Sequence, residues 1–126
     1  MTASPPLSRG VAGSGCWQFI QGPGSGIYRL YDRLRRGVNR GLVAYLIRHV
    51  GDLANKRVLE AGSGPAFGSS LFARNSGVKL SVALDIDIEA LREARRRDST
   101  LPVVAGDLYH LPFAAGAFDL VWNSST

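Results

Sequence analysis

Cysteine is nearly missing from this sequence. Cys16 is the only one, which excludes an intrachain disulfide and any metal cluster built on several thiolates. Histidine is almost as scarce. His49 and His110 have no paired carboxylate or nucleophile beside them, so both read as ordinary polar residues, and no metal site is evident. The apolar run at residues 42–47 is far short of the ~20 residues that a membrane-spanning helix needs. At the N-terminus no basic patch precedes an apolar core, so no secretory signal is read there. A soluble cytoplasmic protein is the expectation. No internal repeat is visible.

Acidic residues are also in deficit. Fifteen Lys and Arg face ten Asp and Glu, a formal net charge of +5. The excess is arginine, in two clusters: Arg29, Arg33, Arg35, Arg36 and Arg40, then Arg92, Arg95, Arg96 and Arg97. A basic balance invites an anionic partner. Tyr28 and Tyr31 beside the first cluster fall on the apolar stripe of its helix and no aromatic accompanies the second, so neither reads as a nucleic-acid stacking platform. The arginines are therefore expected to coat two solvent-facing helices, and a nucleic-acid partner is not expected.

Residues 1–26 are dominated by Gly, Ser, Pro and Ala, with Trp17, Phe19 and Ile20 as the only bulky apolar group. Such a segment buries too little to offset its chain entropy and reads as a flexible tail or loosely docked arm. In residues 27–55 the texture turns helical. Ile27, Leu30, Tyr31, Leu34 and Val38 recur at three- and four-residue steps. Gly37 and Gly41 leave two readings open, two helices or one kinked helix, with Gly51 as the stop. From residue 56 onward strands and helices alternate. The expected order is a strand RVLEA at 57–61, a helix to about Asn75 with Pro65 in its first turn, and a strand at 79–84. A helix to about Arg97, a strand at 102–105 and a strand opening at 118–122 follow. Alternation at this length implies parallel pairing with crossovers, a Rossmann-like doubly wound α/β sheet preceded by N-terminal helices.

In such sheets ligands bind beyond the carboxyl ends of the strands, where the strand order reverses. Those ends carry Glu60 with Gly62 and Gly64, then Asp85, then Asp107, then Asn123 and Ser124. Gly62 and Gly64 let the backbone turn and approach a ligand closely. Asp85, at the end of the next strand, can accept from both hydroxyls of a ribose, or it can cap the following helix, a role that Asp87 fits better. Asp107 can accept from an exocyclic amine such as that of adenine, or it can simply form a turn.

Taken in order, VLEAGSGPA, VALDID, GDLYHLPF and AFDLVWNSS resemble class I S-adenosylmethionine-dependent methyltransferases, in particular the small-molecule group that includes quinone-biosynthesis enzymes. The resemblance runs over residues 56–126. It implies S-adenosyl-L-methionine as cofactor, with Glu60, Ala61, Gly62 and Gly64 at its methionine end. By the same likeness Asp85 and the adjoining Ile86 hold the ribose side, Asp107 and the Leu108 backbone hold the adenine, and Asn123 and Ser124 border the methyl-transfer centre. An N-terminal helix carrying Tyr28 and Tyr31 would serve as packing or lid. The reaction implied is methyl transfer to a small-molecule acceptor, with no catalytic base identifiable. Two departures stand out. Pro65-Ala66 replaces the Thr-Gly usual in the family, so the third glycine of the loop is Ala, and Glu60 stands where Asp is commoner. Binding is expected to survive both.

Two other readings stay open. One is an NAD(P)-binding Rossmann oxidoreductase fragment, disfavoured because a pyrophosphate would lie close to Glu60 and because Ala66 breaks the G-x-G-x-x-G spacing. The other is a non-catalytic nucleotide-binding module. Because the resembling fold continues beyond a fourth strand, an incomplete domain is expected. Its open strand edge would then favour self-association or a partner that completes the sheet.

Overall fold

A computed structural model describes residues 26–124, so the expected N-terminal tail lies almost wholly outside the described residues. The chain divides into two units, Met1–Arg35 and Arg36–Thr126, with the boundary inside the first helix. That helix, α1 (Gly26–His49), is a single element of 24 residues that runs through both Gly37 and Gly41. Its two halves differ in burial. Val43 is 2% exposed and belongs to the core, whereas Ile27, Leu30, Leu34 and Val38 are each more than half exposed. Gly51, at φ 99°, adopts the left-handed backbone that glycine accepts without a Cβ penalty and ends the helical run.

The second unit alternates strand and helix: β1 (Arg57–Ala61), α2 (Phe67–Asn75), β2 (Leu80–Asp85), α3 (Ile88–Arg97), β3 (Val103–Ala105) and β4 (Leu120–Trp122). All pairings are parallel, in the order β3-β2-β1-β4. The direction of winding reverses at β1, and the switch point lies between the ends of β1 and β4. This is the Rossmann-like doubly wound order expected from the alternation.

The strands are apolar on both sides because both faces are covered. Val58 packs with Val43, Leu53, Phe72 and Trp122 on the face that carries α1 and α2. Ala83 meets Ala66, Ala94 and Leu101 beneath α2 and α3. On the opposite face Leu59, Ala61, Val82 and Leu84 are covered by Phe113 and Phe118, whose rings meet edge to face at 4.9 Å. Phe72 is fully enclosed, and its burial contributes about 2–3 kcal/mol.

Two local expectations need correction. Pro65 lies outside α2, because Ala66 is left-handed (φ 58°, ψ 39°) and the helix begins only at Phe67. β4 begins at Leu120, two residues later than the apolar run suggests. Asp119 instead clamps the start of β1: its N–H donates to the Arg57 carbonyl at 2.8 Å, and its carboxylate accepts from the Arg57 N–H at 2.8 Å. That accepted bond, reinforced by the Arg57 guanidinium, lowers the Asp119 pKa. No helix among the described residues is long and apolar enough to cross a membrane.

Candidate functional site

β1 delivers its chain directly into the glycine loop. Gly62 (φ 74°) and Gly64 (φ 53°) take the left-handed backbone that a side chain would oppose. The loop is anchored from both neighbours. The Gly62 and Ser63 N–H groups donate to the Leu84 carbonyl at 2.8 and 2.9 Å, and the Gly64 N–H donates to Asp85 Oδ2 at 2.6 Å. Asp85 Oδ1 accepts from the Asp87 N–H at 2.8 Å. Asp87, not Asp85, caps α3, accepting from the Glu89 and Ala90 N–H groups. Asp85 is thereby oriented by two backbone donors while each of its oxygens keeps further acceptor capacity.

A cavity of about 240 Å³ opens beyond these strand ends, lined by Gly62, Asp85, Ile86, Gly106, Asp107, Leu108 and Tyr109. It brings Gly62, Asp85, Ile86, Asp107 and Leu108 together from three separate strand ends. Ile86 is 70% exposed and Leu108 38%, so apolar side chains line the same space as two carboxylates. Asp107 has a lowered pKa. The N–H of Tyr109 donates to it at 2.9 Å, and His110 adds a weaker contribution at 3.5 Å. It is a settled carboxylate at neutral pH, an acceptor and not a proton donor.

Glu60, Ala61, Gly64 and Asn123 do not line this cavity. Glu60 is 1% exposed and turns beneath the loop. Its Oε2 accepts from the Ser69 N–H at 2.7 Å and the Ser69 hydroxyl at 2.6 Å, tying β1 to the first turn of α2. Asn123 donates through Nδ2 to the Ala61 carbonyl at 2.7 Å and so closes the β1–β4 switch point. Ser124, half-buried, follows it.

Gly68 and Ser69 escape a reading by motif. A Cβ on Gly68 would meet the Trp122 ring at 2.3 and 2.4 Å and Glu60 Oε1 at 2.8 Å. Only glycine lets α2 approach β1 and β4 so closely. The available signal was the glycine itself, because Gly inside a helix costs roughly 1 kcal/mol against Ala and asks for a packing reason. Tyr109, 91% exposed, carried no sequence signal; the loop geometry alone places it at the cavity. Among the described residues no group of His, Cys, Asp and Glu could hold a metal ion.

The family model described as "Methyltransferase domain" matches residues 59–126, more than half of the chain. The chain belongs to this methyltransferase family. It is 41% identical over 68 residues to the malonyl-[acyl-carrier protein] O-methyltransferase of Enterobacter lignolyticus, covering 54% of this chain and 26% of that protein. To the demethylmenaquinone methyltransferase of Renibacterium salmoninarum it is 33% identical over 90 residues, 71% of this chain and 37% of that one. Among solved structures, a TehB-like SAM-dependent methyltransferase from Corynebacterium glutamicum superposes with a TM-score of 0.59 at 20% identity. That match covers 77% of this chain and 54% of that one, and it supports the fold. The chain spans about a quarter to two fifths of the length of the curated relatives it matches.

Proposed function

We propose that this chain forms the S-adenosylmethionine-binding part of a methyltransferase whose acceptor is a small molecule. The observation that carries the reading is the cavity where Asp85 and Asp107 converge beside Ile86 and Leu108, on a chain of the methyltransferase family. Its chemistry fits the cofactor. Two carboxylates suit the hydroxyls of a ribose and the amine of an adenine, and exposed apolar side chains suit the faces of a planar ring. Asp85 accepts from the ribose, Asp107 and the Leu108 backbone meet the adenine, and Ile86 packs against the ring system. Gly62 and Gly64, with Ala61, admit the methionine end close to the backbone. Glu60 sits behind them as a positioning residue, and Asn123 borders the same end.

When bound, S-adenosylmethionine supplies a methyl group on a cationic sulfonium, already a good leaving group. The contribution of the protein is then mainly orientation, and a general base is needed only where the acceptor must lose a proton early. The relatives are named for different acceptors, malonyl-[acyl-carrier protein] and demethylmenaquinone, so the shared segment bears on the cofactor and leaves the acceptor class general. The outer side of β4 pairs with no strand among the described residues; in this reading a further strand of the protein, or of a partner, docks there. A nicotinamide cofactor is disfavoured, because Glu60 behind the loop opposes a pyrophosphate and Ala66 fills the position of the third glycine.

Thermal melts test the reading. S-adenosylmethionine and S-adenosylhomocysteine should each raise the melting temperature by mass action on the folded state, and NAD should leave it unchanged. Stabilisation by NAD alone would overturn the assignment.

A further inference from the structure

β3 is the edge of the sheet opposite β4, and its outer side is bare. The Ala83 N–H donates to the Pro102 carbonyl and the Gly106 N–H to the Asp85 carbonyl, both at 3.0 Å. Backbone groups alternate in direction along a strand, so residues 102, 104 and 106 turn toward β2. The N–H and C=O groups of Val103 and Ala105 therefore turn away from it. No strand pairs with that side among the described residues. Sheet edges are commonly blunted by proline or by charged side chains. Here Pro102 has its missing donor on the β2 side and blunts nothing, and Val103, Val104 and Ala105 carry no charge.

The side chains of Val103 and Ala105 line a groove of about 410 Å³ together with Ile88 and Leu91 of α3, and the exposed Arg92, Arg95 and Arg96 complete its lining. Ile88 is more than half exposed there. No acid lines the groove. Arg92 pairs with Glu89, and Arg95 donates to the uncharged Leu101 carbonyl at 3.1 Å. Three cations thus meet one acid, and the groove stays positive. Free main-chain donors and acceptors ask for a polypeptide, the apolar floor for an apolar side chain, and the arginines for acids. Two copies joined edge to edge about a two-fold axis would instead set the arginines against themselves.

We propose that the β3 edge takes an extended, acidic segment of a partner protein as an additional strand, with an apolar side chain in the α3–β3 groove. The capped peptide Thr-Glu-Thr-Leu-Thr-Glu-Thr is a suitable probe, because when extended it presents one leucine between two acids on a single face. The same peptide with lysine for glutamate is the control. Amide exchange followed by NMR should show the acidic peptide slowing the Val103 and Ala105 N–H groups. At equal ionic strength the lysine peptide should bind roughly tenfold more weakly or not at all. Ala105→Pro removes an outward donor without touching a bond to β2, and it should weaken binding by about tenfold or more with the melting temperature little changed. Arg92→Glu with Arg96→Glu, on the helix surface, should reverse the preference between the two peptides, and it decides the matter if the proline disturbs the fold. Absence of binding, equal binding of the two peptides, or protection confined to Leu120–Trp122 overturns the proposal. So does a dimer that Ala105→Pro dissociates, which would assign the edge to a second copy of the chain.

Discussion

Glu60 and Asp85 end neighbouring strands, register-paired within two positions of one another, yet they inhabit opposite environments. Glu60 is enclosed by α2 and Trp122, and its carboxylate goes to Ser69. Asp85 stands at an open cavity, with its oxygens directed by Gly64 and Asp87 but not enclosed. The first acid joins strand to helix; the second keeps acceptor capacity toward an open cavity. Both face the same side of the sheet, because Glu60 pairs with Ala83 and Asp85 lies two residues beyond it; how far along the strand each sits, and what packs over it there, decides which role a carboxylate takes. Stability and binding should therefore separate by region, the dry junction beneath the loop governing one and the cleft above it the other.

The largest effect is expected at Gly68. Gly68→Ala drives a methyl into the Trp122 ring and against Glu60, an overpacking that should cost about 3 kcal/mol or more in urea unfolding. A smaller ring at position 122, in Gly68→Ala with Trp122→Leu, should recover part of the loss. No recovery would show that the strain lies elsewhere in α2.

Next comes Ser69→Ala, which removes one donor from a buried carboxylate and should cost about 2 kcal/mol of stability. Its affinity for S-adenosylmethionine, measured below the unfolding transition, should change little. A loss of affinity out of proportion to stability would break the contrast, because the junction would then be part of the binding surface.

Asp85→Asn supplies the opposite case. One carbonyl oxygen can still accept from Gly64, so folding should persist, while cofactor affinity falls about tenfold, equivalent to ~1.4 kcal/mol. Equal affinity in titration calorimetry would return Asp85 to a purely structural role as the loop anchor.

Smallest is Ala66→Gly. Ala66 is fully buried and left-handed, a conformation costing an L-residue roughly 1–2 kcal/mol. Glycine relieves that strain but gains freedom in the unfolded chain, worth about 0.4–1 kcal/mol. A net stabilisation near 0.5 kcal/mol is expected, with cofactor affinity unchanged. Destabilisation would mean that the methyl packing against Ala83, Ala94 and Leu101 outweighs the strain.

What the sequence by itself determined was the alternation of strand and helix, and with it the sheet and the strand ends. Apolar runs such as Val58–Leu59 and Val82–Leu84, interrupted by Gly62 and Gly64 or by Asp85 and Asp87, carry their own local geometry. For that reason α3 and β1 fall where periodicity put them, and Gly62, Asp85, Ile86, Asp107 and Leu108 meet at one cavity. The third glycine position was legible as a departure, but its left-handed backbone, and so the late start of α2, was not. Only the tertiary structure decided what depends on distance through space. It turned Glu60 toward Ser69, pressed Gly68 against Trp122, and gathered arginines from α1, α2 and α3 around Phe67. Linear spacing could not pair Arg36 and Arg97 with Phe67, because the ring they share comes from a different helix. Periodicity records which face a residue occupies within its own element; only packing between elements brings distant faces together.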